Sequence, residues 1–356
     1  MVTWLAGNRI QGTSTERTAG TPAVPADITQ GGWKEIGRVN ASVGEITGLA
    51  DKRYLMVLGH HIQGSGNSGL GLQLNGDTTA SQYPRRYSEN GGSDATPTSE
   101  TNIFFDTNGS TVSGKEWFTV MHIENKSDKE KLGIYHTAYN RNGLGSGQSS
   151  HRLEGVFKWV NTSNPISSIK FSDFNGTAMN SASQVIVLGW DPADTHTDNF
   201  WEELASVELS SAGDVLSSGT ITAKKYLWVQ FYVKKSGSIV PEVSFNNTTG
   251  NEYAYRFSDN GAPDGTPQLN KSAFRTSTDD TNSFVNMFII NNSSNEKLAI
   301  VNSSDVATTG AGNAPTRREI VAKWTNTSSQ ITEIDVDNVS SGNFDTGSFI
   351  KVWGSN

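Results

Sequence analysis

The side chains that could do chemistry in this sequence are six histidines, one glycine-rich loop, two acid-rich loops and a recurring set of arginine–acid pairs. His60 and His61 are adjacent, so on a strand they face opposite sides and cannot share a metal ion. His122 and His136 fall in strand-like segments, and no His-Glu-x-x-His or His-x-His spacing occurs. The segment Gly64-Ser65-Gly66-Asn67-Ser68-Gly69 matches the G-x-G-x-x-G pattern. A dinucleotide site needs a helix behind that loop to face the pyrophosphate, whereas the β-like LGLQLNG follows here, so the segment reads as a hairpin loop. Asp259-Asn260-Gly261-Ala262-Pro263-Asp264-Gly265 is oxygen-rich enough to consider for Ca²⁺, as are Asp191, Asp194 and Asp198, but neither has the full EF-hand pattern. There is no G-x-S-x-G elbow and no Walker A loop. Cysteine is absent, which excludes disulfides and thiolate metal sites. No catalytic residue, metal-ligand set or cofactor is assigned, and the chain is expected not to be an enzyme.

The arginine–acid pairs occur twice. Arg86 and Asp94 bracket Asn90-Gly91, and Arg256 and Asp264 bracket Asn260-Gly261; Arg152 and Glu154 recur as Arg317 and Glu319. They admit two readings, a ligand-binding loop present in two copies or a brace that each copy needs in order to fold. The second is favoured, because duplication repeats whatever a fold requires. Tyr83 and Tyr253, at matched positions beside these pairs, are candidates for stacking on a sugar, together with Tyr87 and Tyr255.

These pairs belong to a larger self-similarity, with matched phrases about 165–170 residues apart. Trp33-Lys34-Glu35-Ile36 returns as Trp201-Glu202-Glu203-Leu204. YPRRYSENGGSDATP from Tyr83 returns as YAYRFSDNGAPDGTP from Tyr253. Lys158-Trp159 and Asn161-Thr162-Ser163 return as Lys323-Trp324 and Asn326-Thr327-Ser328, and VIVLG (185–189) as IKVWG (350–354). The repeat divides the chain into an extended N-terminal arm (1–31), a first unit (32–190), a short polar linker (191–200) and a second unit (201–356). Trp4, Arg9, Ile10 and Arg17 of the arm are candidate anchors to a neighbouring subunit.

Alternation of period two predicts about eight strands in each unit. They fall near 38–46, 53–62, 70–75, 117–125, 131–137, 154–160, 166–172 and 184–189. In the second unit they fall near 205–210, 225–233, 241–246, 283–291, 297–302, 319–325, 331–337 and 348–353. No segment holds a 3.6-residue period, although WEELASVELSS (201–211) could form a helical turn. Eight antiparallel strands must pair as two sheets or close on themselves to hide their edges. The expected fold is therefore all-β, with two tandem jelly-roll-like antiparallel β-sandwiches. Trp159 and Trp324 are expected in the cores, at strand ends.

The net charge of −8, with no dense Lys/Arg run, argues against nucleic-acid binding, which needs a basic face to neutralise phosphates. The longest apolar runs, such as VIVLGW, are far short of a membrane span. The first residues lack the basic-then-apolar pattern of a secretory signal, so if the protein acts outside a cell it is expected to leave by a route other than a cleaved signal, of which release by lysis is one.

KRYLMVL, RRYSENGGSDATPTS, NKSDKEKLGI, KWVNTSNPISSI and VIVLGW, with their second-unit counterparts, resemble repeats of structural proteins of tailed, often marine, viruses. The resemblance extends over nearly all of 33–354 and consists of strand and turn phrases, so it carries over no functional residue. It implies a virion component made in the host cytoplasm: a capsid decoration, a fibre or a tail-associated protein. The implied partners are the chain itself in a homo-oligomer, other virion proteins, and a host-surface glycan. A carbohydrate-binding module or adhesin, and a polysaccharide-active enzyme, are the alternatives.

Overall fold

A computed structural model describes residues 32–356, apart from 41–43, 65–68, 106–113, 174–179, 197, 278–281 and 307–309. Among the described residues every regular element is a strand. The first unit contains β1 (Lys34–Asn40), β2 (Gly44–Thr47), β3 (Tyr54–Ile62), β4 (Leu70–Leu74), β5 (Arg85–Glu89), β6 (Ile103–Phe104), β7 (Glu116–Glu124), β8 (Lys131–Tyr139), β9 (His151–Trp159), β10 (Ser168–Asp173) and β11 (Gln184–Trp190). Its large sheet has the order β1-β11-β3-β7-β8-β9-β5, and its small sheet β2-β10-β4-β6.

The second unit contains β12 (Glu202–Glu208), β13 (Val215–Ser217), β14 (Tyr226–Val233), β15 (Lys235–Ser236), β16 (Pro241–Phe245), β17 (Tyr253–Asp259), β18 (Gln268–Lys271), β19 (Phe274–Arg275), β20 (Asn282–Ile290), β21 (Lys297–Val306), β22 (Thr316–Trp324), β23 (Ile334–Asn338), β24 (Asn343–Phe344) and β25 (Phe349–Ser355). Its large sheet runs β12-β25-β14-β20-β21-β22-β17-β18 and its small sheet β13-β23-β16-β19, the order of the first unit with β18 added at one edge. Even a register shift recurs, between Glu35 and Gly37 in β1 and between Glu203 and Ala205 in β12. WEELASVELSS is therefore a bulged edge strand rather than a helical turn; its Val and paired Glu side chains suit an edge of a sheet.

Each small sheet packs on one face of its large sheet. Leu55, Val57 and Val187 meet Leu72 and Phe171 in the first sandwich; Val229, Phe231 and Val352 meet Val243 and Val336 in the second. The opposite faces of the two large sheets are apolar as well. Met56, Leu58, Phe118, Val120 and Ile186 of the first unit form a third core with Trp201, Tyr226, Phe288, Leu298, Ile300 and Trp353 of the second. Among the described residues the four larger sheets thus stack as small, large, large, small, and β15 and β24 pair separately as a two-stranded ribbon. This explains why β3 and β11 read as continuous apolar runs, since a strand buried on both faces has no polar side to alternate with.

Residues 191–200 are tied down at both ends of the stretch. Asp194 pairs with Lys52, Asn199 accepts a hydrogen bond from the Gly32 amide at 2.7 Å, and Phe200 is buried in the shared core. Residues 1–31, with the candidate anchors Trp4, Arg9, Ile10 and Arg17, lie outside the described residues.

Because the middle core is shared, the two sandwiches are expected to unfold together. Calorimetry on the whole chain should give one transition whose van't Hoff and calorimetric enthalpies agree. Two resolved transitions would mean that the shared core contributes little.

Candidate assembly interface

The residues that repeat between units mostly brace the fold. Trp159 and Trp324 are buried at the ends of β9 and β22, and their indole N–H groups donate to Asp77 (2.9 Å) and Glu252 (2.8 Å). Lys131 and Lys297 lie over those indoles at 5.3 and 5.4 Å and donate to the carbonyls of Asn161 and Asn326. Tyr83 and Tyr253 are also buried, which corrects their reading as sugar-stacking residues. The Leu74 and Phe245 amides donate to their hydroxyls at 3.0 and 2.7 Å, pinning the large sheet to β4 and β16. Tyr255 is buried too, and Tyr87 lies half-buried beneath the Arg85 guanidinium.

The acid-rich loops have their charges met by cations. Asp259 accepts from Arg318, while Asp191 and Asp194 face Lys52. Among the described residues no group of three or more His, Asp or Glu is placed to hold a metal ion. Gly69 is followed directly by β4, and residues 65–68 of the glycine-rich stretch lie outside the described ones. His60 faces Glu116 at 2.9 Å on one side of β3, and His61 stacks on Phe171 on the other.

The arginine–acid pairs have a different fate in each unit. Arg86 and Asp94 meet at 3.2 Å in solvent. Asp264, by contrast, is buried, and although Arg256 approaches to 3.7 Å its shorter partner is Arg152 of the first unit at 2.6 Å. Burial disfavours the Arg152 charge, but Glu154 and Asp264 outweigh it and hold the guanidinium above its usual range. The Asp264 amide donates to the Asn90 carbonyl, so the two Asn-Gly turns touch. Gly91 has φ +68° and a Cβ there would meet the Asp264 amide at 2.6 Å, so both conformation and contact demand glycine.

A second polar cluster crosses the same contact. Glu296 and Lys323 pair at 3.1 Å in full burial. Asn140 and the Gly145 amide of the first unit donate to the Glu296 carboxylate at 2.9 and 2.5 Å. Burial, then the neighbouring Glu296, pushes Glu116 well above the carboxylate range. Neither cluster was visible as such in the sequence, because Arg152, Asn140 and Glu116 are separated by more than 100 residues from Asp264 and Glu296.

Beyond this contact the large sheet of the first unit continues into the open. Leu132, Ile134 and Val156 stand exposed on it, along one side of a groove of about 870 Å³. Trp33, Tyr54 and Trp190 line its other side, with Trp190 stacked on Tyr54 at 5.4 Å.

No protein-family model matches the chain, and no curated protein matches it. Among solved structures it is similar to mouse laminin α1 chain, domains LG4-5, at 9% identity and a TM-score of 0.19, over 90% of each chain. Fold and site together define a duplicated, four-layer antiparallel β protein whose repeated polar residues serve architecture and the contact between its halves. No helix among the described residues is long and apolar enough to cross a membrane.

Removing Asp264 takes one charged partner from the buried Arg152, which keeps Glu154 at 2.6 Å. Asp264→Ala should cost about 1.5–3 kcal/mol in denaturant unfolding, against about 0–1 kcal/mol for Asp94→Ala at the exposed counterpart. Equal effects would show that Asp264 is not a central brace. A second test uses protons. Burial holds His60 and His61 at about 3. The unfolded chain takes up these protons below about pH 6.5. Stability is therefore intact above about pH 6.5 and falls as the pH drops toward the folded values, by up to ~1.4 kcal/mol per pH unit for each histidine. His61→Phe, which keeps an aromatic ring against Phe171, should make that fall shallower; an unchanged slope would assign the acid sensitivity elsewhere.

Proposed function

We propose that this chain is a virion structural protein of a tailed virus, a capsid-decoration, head-fibre or tail-associated component that works by assembling with itself and with other virion proteins. Support comes from the resemblance of its strand and turn phrases to such proteins. The observation that carries the reading is the exposed apolar strip Leu132–Ile134–Val156, which continues a sheet face that is buried elsewhere in the same molecule. A strip of that kind marks a surface for another protein. The repeated side chains favour this over turnover, since Trp159, Trp324, Tyr83 and Tyr253 hold sheets together. Glycan binding is the second reading and keeps one observation, the Trp190–Tyr54 pair beside Trp33 in the groove.

In a density gradient of lysate from producing cells, the chain should sediment with particles, and immunogold labelling should place it at regular positions on them. A chain found only in the soluble fraction would overturn the virion reading. Binding to a glycan array by that soluble form, lost in Trp190→Ala, would establish the second.

A further inference from the structure

The two halves share one sheet order, yet they do not meet through equivalent surfaces. The second unit contributes Glu296, Lys323, Leu298, Ile300 and Val321 to the shared contact. The matched residues of the first unit are Glu130, Lys158, Leu132, Ile134 and Val156, and these lie in solvent: Ile134 is 54% exposed where Ile300 is 5%. The ion pair is the same in both, Glu130–Lys158 at 2.9 Å and Glu296–Lys323 at 3.1 Å, but only the second is buried.

The reverse holds for the opposing surface. The first unit contributes Phe118, Val120, Ala138 and Arg152. The matched residues of the second are Phe284, Asn286, Ser304 and Arg317, and Phe284 is 42% exposed where Phe118 is 1%. Arg317 pairs with Glu319 at 2.6 Å as Arg152 pairs with Glu154, and its side chain is 63% exposed. The contact is therefore heterologous: one end of the second sheet lies on the other end of the first. Each molecule is left with the outer part of each surface unused in the other unit, while Trp228 and Trp353, matched to Met56 and Leu188, already lie in the internal core.

We propose that these two surfaces meet between molecules, so that a second copy of this chain docks head to tail and repeats the internal contact. The inference deepens the assembly reading and rests on it for its biological purpose. Leu132, Ile134 and Val156 of one chain then receive Phe284 and Val306 of the next, two further exposed apolar residues on the same face of their sheet. Charge is complementary: Arg317 of one chain faces Asp94 of the next, as Arg152 faces Asp264 within the molecule. Asn286, Ser304 and Gln230 replace Val120, Ala138 and Leu58, so the intermolecular contact is more polar and more readily reversed than the internal one. A heterologous contact that does not close into a ring propagates as a filament.

Light scattering on the full chain over a concentration series, with negative-stain microscopy, tests this. The mass should rise in steps of 38.4 kDa, with open rows or rings in the images. Ile134→Glu and Phe284→Glu should each weaken self-association about tenfold or more while circular dichroism and thermal unfolding stay native. Mixed together, these two variants should form a capped heterodimer, since each retains the surface that the other has lost. Arg317→Asp should weaken the contact and Asp94→Arg in the same chain should restore it. A monomer at every concentration overturns the proposal, as does self-association insensitive to Phe284→Glu. A monomer that still sediments with particles would overturn the head-to-tail contact alone and leave the virion reading in place.

Discussion

The structure depends on the contact between the two large sheets. Met56, Leu58, Phe118 and Val120 have no small sheet to cover them, because the small sheet of their unit lies on the other face. The second unit supplies the cover with Tyr226, Phe288, Leu298 and Ile300. Either sandwich alone would present that face to water, and an apolar patch of that kind is what aggregation selects. Duplication is therefore structural: the second copy is the solvent shield of the first.

The same contact carries a cluster of buried charge. Taking Glu296, Lys323, Arg152 and Asp264 out of water costs several kcal/mol per ion, and attraction alone does not restore it. The fold offsets the cost with donors from the opposite unit, Asn140 and the Gly145 amide for Glu296, and Arg152 itself for Asp264. Such a network tolerates one register and penalises others, since a shifted sheet would leave the Glu296 carboxylate without its partners. Glu130 and Lys158 need no such help, because their pair stays in water.

Much of the architecture was legible from alternation and repetition. β3, β7, β11, β14, β20 and β25 fall where period-two patterns and matched phrases put strands. β5 and β17 were less legible, because RRYSE and YAYRFSD are rich in charge and sit beside Asn-Gly turns, so they resemble loops; in the structure they are strands near the rim of the large sheets, where Arg86 reaches solvent and Arg256 reaches Asp264. The short strands β6, β19 and β24 pair over two residues each and leave too little periodicity to read. Of the candidate residues, the pairing of Arg86 with Asp94 followed from the repeat, whereas the burial of Tyr83 and Tyr253 did not. A tyrosine in a turn-rich phrase looks exposed until the small sheet is laid over it.

By itself the sequence determined the all-β character, the duplication and the matched positions of both units, since these are properties of local pattern and of comparison along the chain. It also determined the absence of thiol chemistry. Tertiary structure alone decided which copy of each matched residue is buried. Ile134 and Ile300, or Arg152 and Arg317, have like neighbours in sequence and opposite surroundings in space, because burial is set by where the partner sheet lands and not by the strand that bears the residue.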